Sequence, residues 1–520
     1  MEYLLDGRQM KAVDAYNIEE LGIPSLVLME RAALAAADLA ASMVPAGGRV
    51  LAVCGTGNNG ADALAAARVL FLRGYEAEAV VAGNPEKATE ENRLQQEIIK
   101  KLGIPLRTAE GALEYDMERG YALILDGLFG VGLSRPIEGR MAGFVEAVNR
   151  AGEKGAKILA LDIPSGVYAG GGVSDPAVRA DATVTFGFHK LGMVLYPGAL
   201  YCGRVSKADI GFAKPPWLCN GNEEPVRSFL PGEAAPLPPR PPQGHKGTFG
   251  RVLLAAGSAG MCGAAFLSAM AAYRAGAGLV RILTVEENIP VLKALAPEAV
   301  LSVCRVENGR LGEETKKELP KLMEWAGVFA AGPGLSQEPY AGELLSLLLK
   351  EAGGGGKSAV LDADALNILA KERELLGLLS EKMIVTPHLG EMSRLTGQAA
   401  AELKSGLLKA AQEFHLRFGP VCVLKDARTA VASEKGLYLN RSGNDGMGTG
   451  GSGDVLAGIL AGLLAGGLSP EQAAETGVYL HGLAGDQAAA EKGRRAMTAR
   501  DILDHIGTVL KSWEEYHGDI

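Results

Sequence analysis

Along the first 212 residues, short apolar runs alternate with longer stretches whose apolar positions recur at helical spacing. The runs predict strands over 49–54, 78–82, 122–126 and 158–162, and the spaced pattern predicts helices over 62–73 and 141–151. The same alternation returns later, with strands over 252–256, 328–331, 359–362, 383–386 and 421–425 and helices over 264–273 and 455–464. Strands that are apolar throughout are buried on both faces, which implies parallel sheets covered by helices. Both halves therefore read as α/β, and ligands in such folds gather at the carboxyl ends of the strands. The uncharged stretch 252–273 could cross a bilayer by length alone. It reads instead as a strand, a break at Gly257 and Ser258, and a helix rich in small residues.

The pattern stops between the halves. Nine of the 25 prolines fall within 213–244: Pro215, Pro216, Pro225, Pro231, Pro236, Pro238, Pro239, Pro241 and Pro242. Proline fixes φ and removes a donor, so this segment is expected to form neither helix nor central strand and to act as a semi-rigid connector. The expected organisation is a domain over 1–212, a linker over 213–239 and a domain over 240–520. The halves share no register that would mark an internal repeat.

Composition narrows the function classes. Glycine, 70 of 520 residues, is roughly twice as frequent as usual but has no every-third-residue period, which excludes collagen. A hydrophobic content of 48% argues against global disorder. The net charge of −9 argues against a dedicated nucleic-acid or anionic-membrane surface. The six cysteines form no CxxC pair, so neither a disulfide framework nor a zinc site is expected. The N-terminus carries charges too early for a signal peptide. A cytoplasmic protein without membrane or nucleic-acid partners is expected.

The chemistry of the first half gathers at three strand ends. Residues 55–60, GTGNNG, match GxGxxG between a strand and a helix, where turn glycines and a helix N-terminus can meet an anion. A tight turn without a ligand would use the same glycines. The acidic residue that a dinucleotide fold usually carries at the end of the next strand is missing over 81–84. The other two strand ends carry DGLFGVGLSRP at 126–136 and DIPSG at 162–166. Asn59, Asp126 and Ser165 offer hard oxygen ligands for a monovalent or divalent cation, although each aspartate alone could be a cap or turn residue.

Together with LMERA at 28–32 and TFGFHKLG at 185–192, these motifs resemble the NAD(P)H-hydrate epimerase family over nearly all of 1–212. The resemblance implies a Rossmann-like three-layer fold that interconverts the R and S hydrates of NADH and NADPH. It implies K⁺ held by Asn59, Asp126 and Ser165. It implies substrate contacts from Asn58, Asn59, Gly60, Ala61 and Asp62, from Gly130, Val131, Gly132, Leu133, Ser134, Arg135 and Pro136, and from Asp162. Asp162 is the expected acid/base group at the hydrated ring. Lys190 is the weaker candidate, with a solvated lysine as its alternative. The family loop usually reads NNGGDG, and Ala61 and Ala63 stand here at two of its glycines. Either alanine would be strained if its position required positive φ.

In the second half, GGGGKS at 353–358 is not a P-loop. Glu351 stands where the first glycine must be, and the order is helix, glycines, strand. A flexible connection is expected there. The stronger signal is NDGMGTGGSGD at 444–454, followed by a long apolar helix. Consecutive glycines let backbone N–H groups converge into an anion nest, and the helix N-terminus adds its positive end. Asp454 in that first turn is suited to take a proton from an attacking hydroxyl.

This pattern resembles the ribokinase-like kinases. HKGTFG at 245–250, GSAGMCGAA at 257–265, GPGL at 332–335, DADALN at 362–367, TPHLGE at 386–391 and KDARTAV at 425–431 narrow it. Together they resemble the ADP-dependent NAD(P)H-hydrate dehydratase family over about 225–520. The resemblance implies that Ala264, Gly334, His388 and Asp454 contact the hydrated nucleotide. It implies that Lys425, Asp426, Ala427, Arg428, Thr429 and Gly453 contact ADP, with Mg²⁺ between the phosphates. His388 could instead be a loop histidine bonded to backbone.

The leading expectation is a two-domain repair enzyme acting on NADHX and NADPHX, with the family resemblance implying a homo-oligomer. One alternative is a kinase of a small hydroxymethyl metabolite with an N-terminal nucleotide-binding regulatory module. Another makes the first half an inactive protein-interaction module.

Overall fold

The computed structural model describes residues 1–109, 117, 120–220 and 225–517. The chain divides into two compact units, Tyr3–Val226 and Arg227–Ile520, the second also taking in Met1–Glu2. Both are α/β.

The sheet of the N-terminal unit has seven strands in the order Leu106–Ala109, Glu76–Ala82, Arg49–Cys54, Leu123–Gly127, Lys157–Leu161, Ala182–Phe186, Arg204–Ala208. Every neighbouring pair is parallel. The chain builds outward one way from Arg49–Cys54 and then returns beside it at Leu123–Gly127. That reversal opens a crevice at the carboxyl ends of the two central strands. Val50, Ala52 and Cys54 face one core, while Leu51 and Val53 face the other, as strand alternation requires. Helices Ser25–Met43 and Asn58–Leu72 cover the first face through alanines such as Ala33, Ala36, Ala63 and Ala66, and Gly139–Glu153 covers the second. Outside this sheet, Leu4 and Leu5 pair with His189 and Lys190. Just beyond that pairing, a capping box formed by Asp6 and Gln9 starts helix Gly7–Ala15.

In the C-terminal unit the strand order is Val300–Val303, Leu279–Thr284, Arg251–Ala255, Val328–Ala331, Ser358–Leu361, Met383–Val385, Val421–Leu424. These seven are parallel. Thr429–Ser433 and Gly436–Asn440 extend the sheet antiparallel. The reversal here lies between Arg251–Ala255 and Val328–Ala331. Helix Ser452–Ala465 lies against Cys262–Arg274. Glycine is required at that contact: a Cβ on Gly458 would sit 2.2 Å from the Ser268 carbonyl oxygen.

The stretch 252–273 is strand, turn and helix, and no helix among the described residues is long and apolar enough to cross a membrane. Three expectations need correction. The proline-rich segment does contain regular structure: helix Trp217–Asn220 follows Pro215 and Pro216, and strand Val226–Ser228 pairs at Arg227 with Tyr438. Its prolines flank these elements and lie outside them. Residues 353–355 are the last turn of helix Pro339–Gly355, and Gly356 caps it at φ +59°, so this is a helix terminus and not a loose connection. Helix Asn58–Leu72 starts four residues earlier than the apolar spacing predicts, because its first turn is the polar Asn58-Asn59 face.

Candidate active sites

The first site is a cavity of about 1040 Å³ over the crevice of the N-terminal sheet. Gly57 is the N-cap of helix Asn58–Leu72, so the helix start opens onto the cavity. A Cβ on Gly55 would lie 2.1 Å from the Leu128 carbonyl oxygen, and one on Gly60 would lie 2.0 Å from that of Gly55. Gly57 has open space instead. The first and third glycines thus serve backbone packing, and the second leaves room at the cavity face.

Asn58, Asn59, Gly60, Asp62, Asp162 and all of 130–136 line this cavity. Ala61, Asp126 and Ser165 are wholly buried. Ala61 and Ala63 lie inside the helix, and neither has positive φ, so the expected backbone strain is absent. Ser165 Oγ donates to Asp126 Oδ1 at 2.6 Å and accepts the Phe129 N–H at 2.9 Å. Asn59 Nδ2 donates to the Phe129 carbonyl at 2.9 Å, while its Oδ1 is buried with no partner among the described residues. A buried amide oxygen left unpaired, on a side chain linked through Phe129 and Ser165 to a buried carboxylate, fits a cation. Burial lifts the Asp126 carboxyl to about 6 against the opposing hydrogen bonds from Ser165 and Leu128. No cluster of three or more histidine, cysteine or acidic side chains suited to a metal occurs among the described residues.

Asp162 has φ +63°, a left-handed conformation uncommon outside glycine. Its Oδ1 accepts the Phe186 N–H at 3.1 Å and is ion-paired with Lys190. The solvated alternative for Lys190 is overturned. Its side chain is fully buried and also donates to Thr185 Oγ1 at 2.8 Å and the Phe186 carbonyl at 3.2 Å. Burial raises Asp14 to about 6, reinforced by Asp162 and opposed by Lys190. Burial, then Asp162, Asp14 and Glu91, push Asp62 well above the usual carboxylate range. Sequence reasoning assigned nothing to Asp14. It sits on an ordinary amphipathic helix, which the Leu5–Lys190 pairing and the packing of Met10 and Val13 with Phe188 and Leu218 bring to the site.

The second site crosses the carboxyl ends of successive C-terminal strands. Asp362, nearly fully buried, accepts from Lys425 Nζ at 2.8 Å and from Thr386 Oγ1 at 2.7 Å, both at Oδ1. Burial lowers the Lys425 pKa, but Asp362, Glu391 and Asp454 outweigh it and leave the ammonium above its ordinary value. A Cβ on Gly453 would lie 3.4 Å from Lys425 Nζ, so the glycine loop closes directly over this pair. Gly451 caps helix Ser452–Ala465 at φ +91°. Among the described residues, the N–H groups of Thr449, Gly450, Gly451, Gly453 and Asp454 have no partner. The Asp454 carboxyl also has none, and burial with Asp362 nearby raises it to about 6. Ala264 and Gly334 are neighbours, since a Cβ on Gly334 would lie 3.0 Å from that of Ala264.

His388 is the N-cap of helix Leu389–Thr396. Its Nδ1 accepts the Gly390 N–H at 3.0 Å, while its ring is about half exposed. The backbone-bonded alternative therefore describes the Nδ1 edge of the ring, while Nε2 lies 3.4 Å from Glu391 Oε1. Glu391 completes the capping box by accepting the His388 N–H, and burial raises it to about 7. The H-x-x-E spacing was a readable signal for that box. Asp426, Ala427 and Arg428 form the turn between Lys425 and strand Thr429–Ser433, with Arg428 donating to the Arg441 carbonyl at 3.2 Å. Sequence reasoning missed His481, whose Nε2 lies 3.3 Å from Ser452 Oγ and which burial holds at about 4.

Two family models match the chain, one described as YjeF-related protein N-terminus over 25–192 and one as NAD(P)H-hydrate dehydratase over 252–508. A bifunctional NAD(P)H-hydrate repair enzyme Nnr of Moorella thermoacetica is 38% identical, covering 99% of this chain and 97% of its own. The chain belongs to the bifunctional NAD(P)H-hydrate repair enzymes. The Escherichia coli member of that name is 34% identical over 94% of this chain and 90% of its own. Among solved structures, the Bacillus subtilis ADP/ATP-dependent NAD(P)H-hydrate dehydratase, co-crystallised with ATP and Mg²⁺, is 31% identical. It covers 54% of this chain and 95% of its own at a TM-score of 0.45. In this member of the repair-enzyme family, the second matched segment contains the second site, and the first contains the first site apart from residues such as Asp14 that precede it.

Proposed function

We propose that the chain restores damaged nicotinamide nucleotides in two steps. The first site interconverts the R and S forms of NADHX and NADPHX, and the second dehydrates the S form with ADP, giving AMP and phosphate. The observation that carries the reading is Asp454. It is a partnerless carboxyl at the head of a glycine-rich helix N-terminus, poised near neutrality beside the Lys425–Asp362 pair. Hydroxide leaves a ring carbon poorly at neutral pH. Asp454 takes the hydroxyl proton while the oxygen attacks the β-phosphoryl group of ADP, and the P–O bond to AMP breaks. The N–H groups over 449–454 then hold the phosphate. It departs with the C–O electron pair as the neighbouring ring carbon loses a proton, which restores the dihydropyridine.

Lys425–Thr429 and Gly453 serve ADP, and Ala264, Gly334 and His388 serve the hydrated ring. Asp362 and Asp364, both of which act electrostatically on Asp454, are the hard-oxygen groups that would hold Mg²⁺, which offsets phosphate charge. In the first site, Asn59, Asp126 and Ser165 would hold K⁺, which would fix the loop that lines the substrate cavity. Asp162, oriented by Lys190, handles the proton at the hydrated ring. A cytoplasmic homo-oligomer remains part of this reading.

The test uses the full chain with mixed epimers, ADP and Mg²⁺, following the near-ultraviolet absorbance of the reduced ring and free phosphate. Complete recovery with matching phosphate release is expected. A stable phosphorylated product would overturn the dehydratase, and recovery that stops at the S fraction would overturn the epimerase.

A further inference from the structure

The first cavity holds more carboxyl groups than one acid/base residue needs. Asp14, Asp62 and Asp162 all line it. Asp162 is already engaged, accepting from Lys190 and from the Phe186 N–H. Asp14 and Asp62 make no hydrogen bond or ion pair with any described residue. Asp62 sits in the run over 58–62 already read as substrate-binding, whereas Asp14 comes from a different element. It lies in the last turn of helix Gly7–Ala15, where the chain widens into the π-helical turn Tyr16–Glu20. Such widenings recur at functional sites.

Moving a hydroxyl from one ring face to the other needs an acid as it leaves and a base as water returns. We propose that Asp14 is a second catalytic carboxyl of the first site, giving its proton to the hydroxyl leaving C6 while Asp162 takes the proton of the returning water. The proposal rests on the epimerase reading above. The C6–O bond breaks with its electron pair on oxygen, which takes the Asp14 proton and becomes water. The ring nitrogen lone pair forms the N1–C6 double bond. Water then adds to the opposite face, the double-bond electrons return to nitrogen, and Asp162 accepts the proton. The site ends with Asp14 ionised and Asp162 protonated, which is the state required for the reverse reaction.

The electrostatics agree with this division. The charged groups around Asp14 are Lys11 on its own helix, Asp62 on helix Asn58–Leu72, and Asp162 and Lys190 at the strand ends. With three acids around one buried lysine, burial keeps Asp14 protonated up to about pH 6.

The test measures R-to-S interconversion by the full chain without ADP, above the buffer rate, for wild type, Asp14→Asn and Asp14→Glu. Asp14→Asn is expected to lower kcat about 100-fold or more with KM little changed. Asp14→Glu is expected to recover at least tenfold of that loss, which a purely structural role would not allow. The wild-type rate should fall as pH rises above about 6, and Asp14→Asn should lose that limb. Wild-type activity with an equally active Asp14→Asn variant would overturn the proposal alone. A wild type no faster than buffer would overturn the epimerase reading beneath it. If Asp14→Asn and Asp14→Glu are equally inactive, the proton-donor role is also overturned.

Discussion

The two sites use nearly the same charges and isolate them differently. Each sets three carboxylates around one lysine at the carboxyl ends of parallel strands: Asp14, Asp62 and Asp162 with Lys190, and Asp362, Glu391 and Asp454 with Lys425. In the first, the lysine side chain is fully buried and ties down the acid read as catalytic. In the second, the lysine is partly exposed and ties down Asp362, which leaves Asp454 without a partner. Burial raises the remaining carboxyls, Asp14 and Asp62 in the first site and Glu391 and Asp454 in the second, and one lysine in each site does not offset it. The lesson is that the partner of the lysine decides which acid is left to act.

The sharpest break of this comparison is Asp454→Asn. It should lower dehydration of the S form by about 10³-fold while ADP still binds and epimerisation continues. Steady-state phosphate release alongside nucleotide titration checks it, and near-normal turnover would defeat the base assignment. Next come Lys190→Met and Lys425→Met. The first strands Asp162 in a buried setting and should destabilise its unit by about 3–5 kcal/mol. The second strands Asp362, which is 3% exposed against 13% for Asp162, and should cost at least as much stability while also impairing dehydration. Calorimetry on the full chain decides, and a clearly smaller loss for Lys425→Met would contradict this ordering by the burial of the stranded acid.

A pH comparison has a smaller effect. Asp454 works ionised, so dehydration should fall about tenfold per pH unit below about 6. Asp14 works protonated, so epimerisation should fall above about 6. Rate profiles with limbs of the same sign would contradict one assignment. The mildest change is replacement of K⁺ by a bulky organic cation. It should slow epimerisation several-fold and leave dehydration of the pure S form unchanged, because the orphaned Asn59 oxygen belongs to the first site alone.

Much of this was legible in the chain. Strands Arg49–Cys54 and Val328–Ala331 coincide with their apolar runs, because strands buried on both faces leave no polar position to blur the pattern. The glycine loops were legible because close backbone approach admits few other residues. Asp14 was not, since its helix reaches the crevice through long-range contacts, the pairing of Leu5 with Lys190 and the packing of Met10 and Val13 with Phe188 and Leu218. The burial of Lys190 was hidden for a related reason: its three acceptors, Asp162, Thr185 and Phe186, come from neighbouring strand ends. The concern over Ala61 and Ala63 disappears because both lie in right-handed helix.

The left-handed backbone at Asp162 also limits how this site can change over time. At φ +63° only aspartate, asparagine and glycine sit without appreciable strain, and other side chains cost about 1–3 kcal/mol. Of those three, only aspartate titrates. A lineage drifting away from Asp162 can abandon the proton chemistry while keeping the loop's shape. Substituting a longer acid such as glutamate would disturb the loop, so shape and reactivity are inherited together at this position.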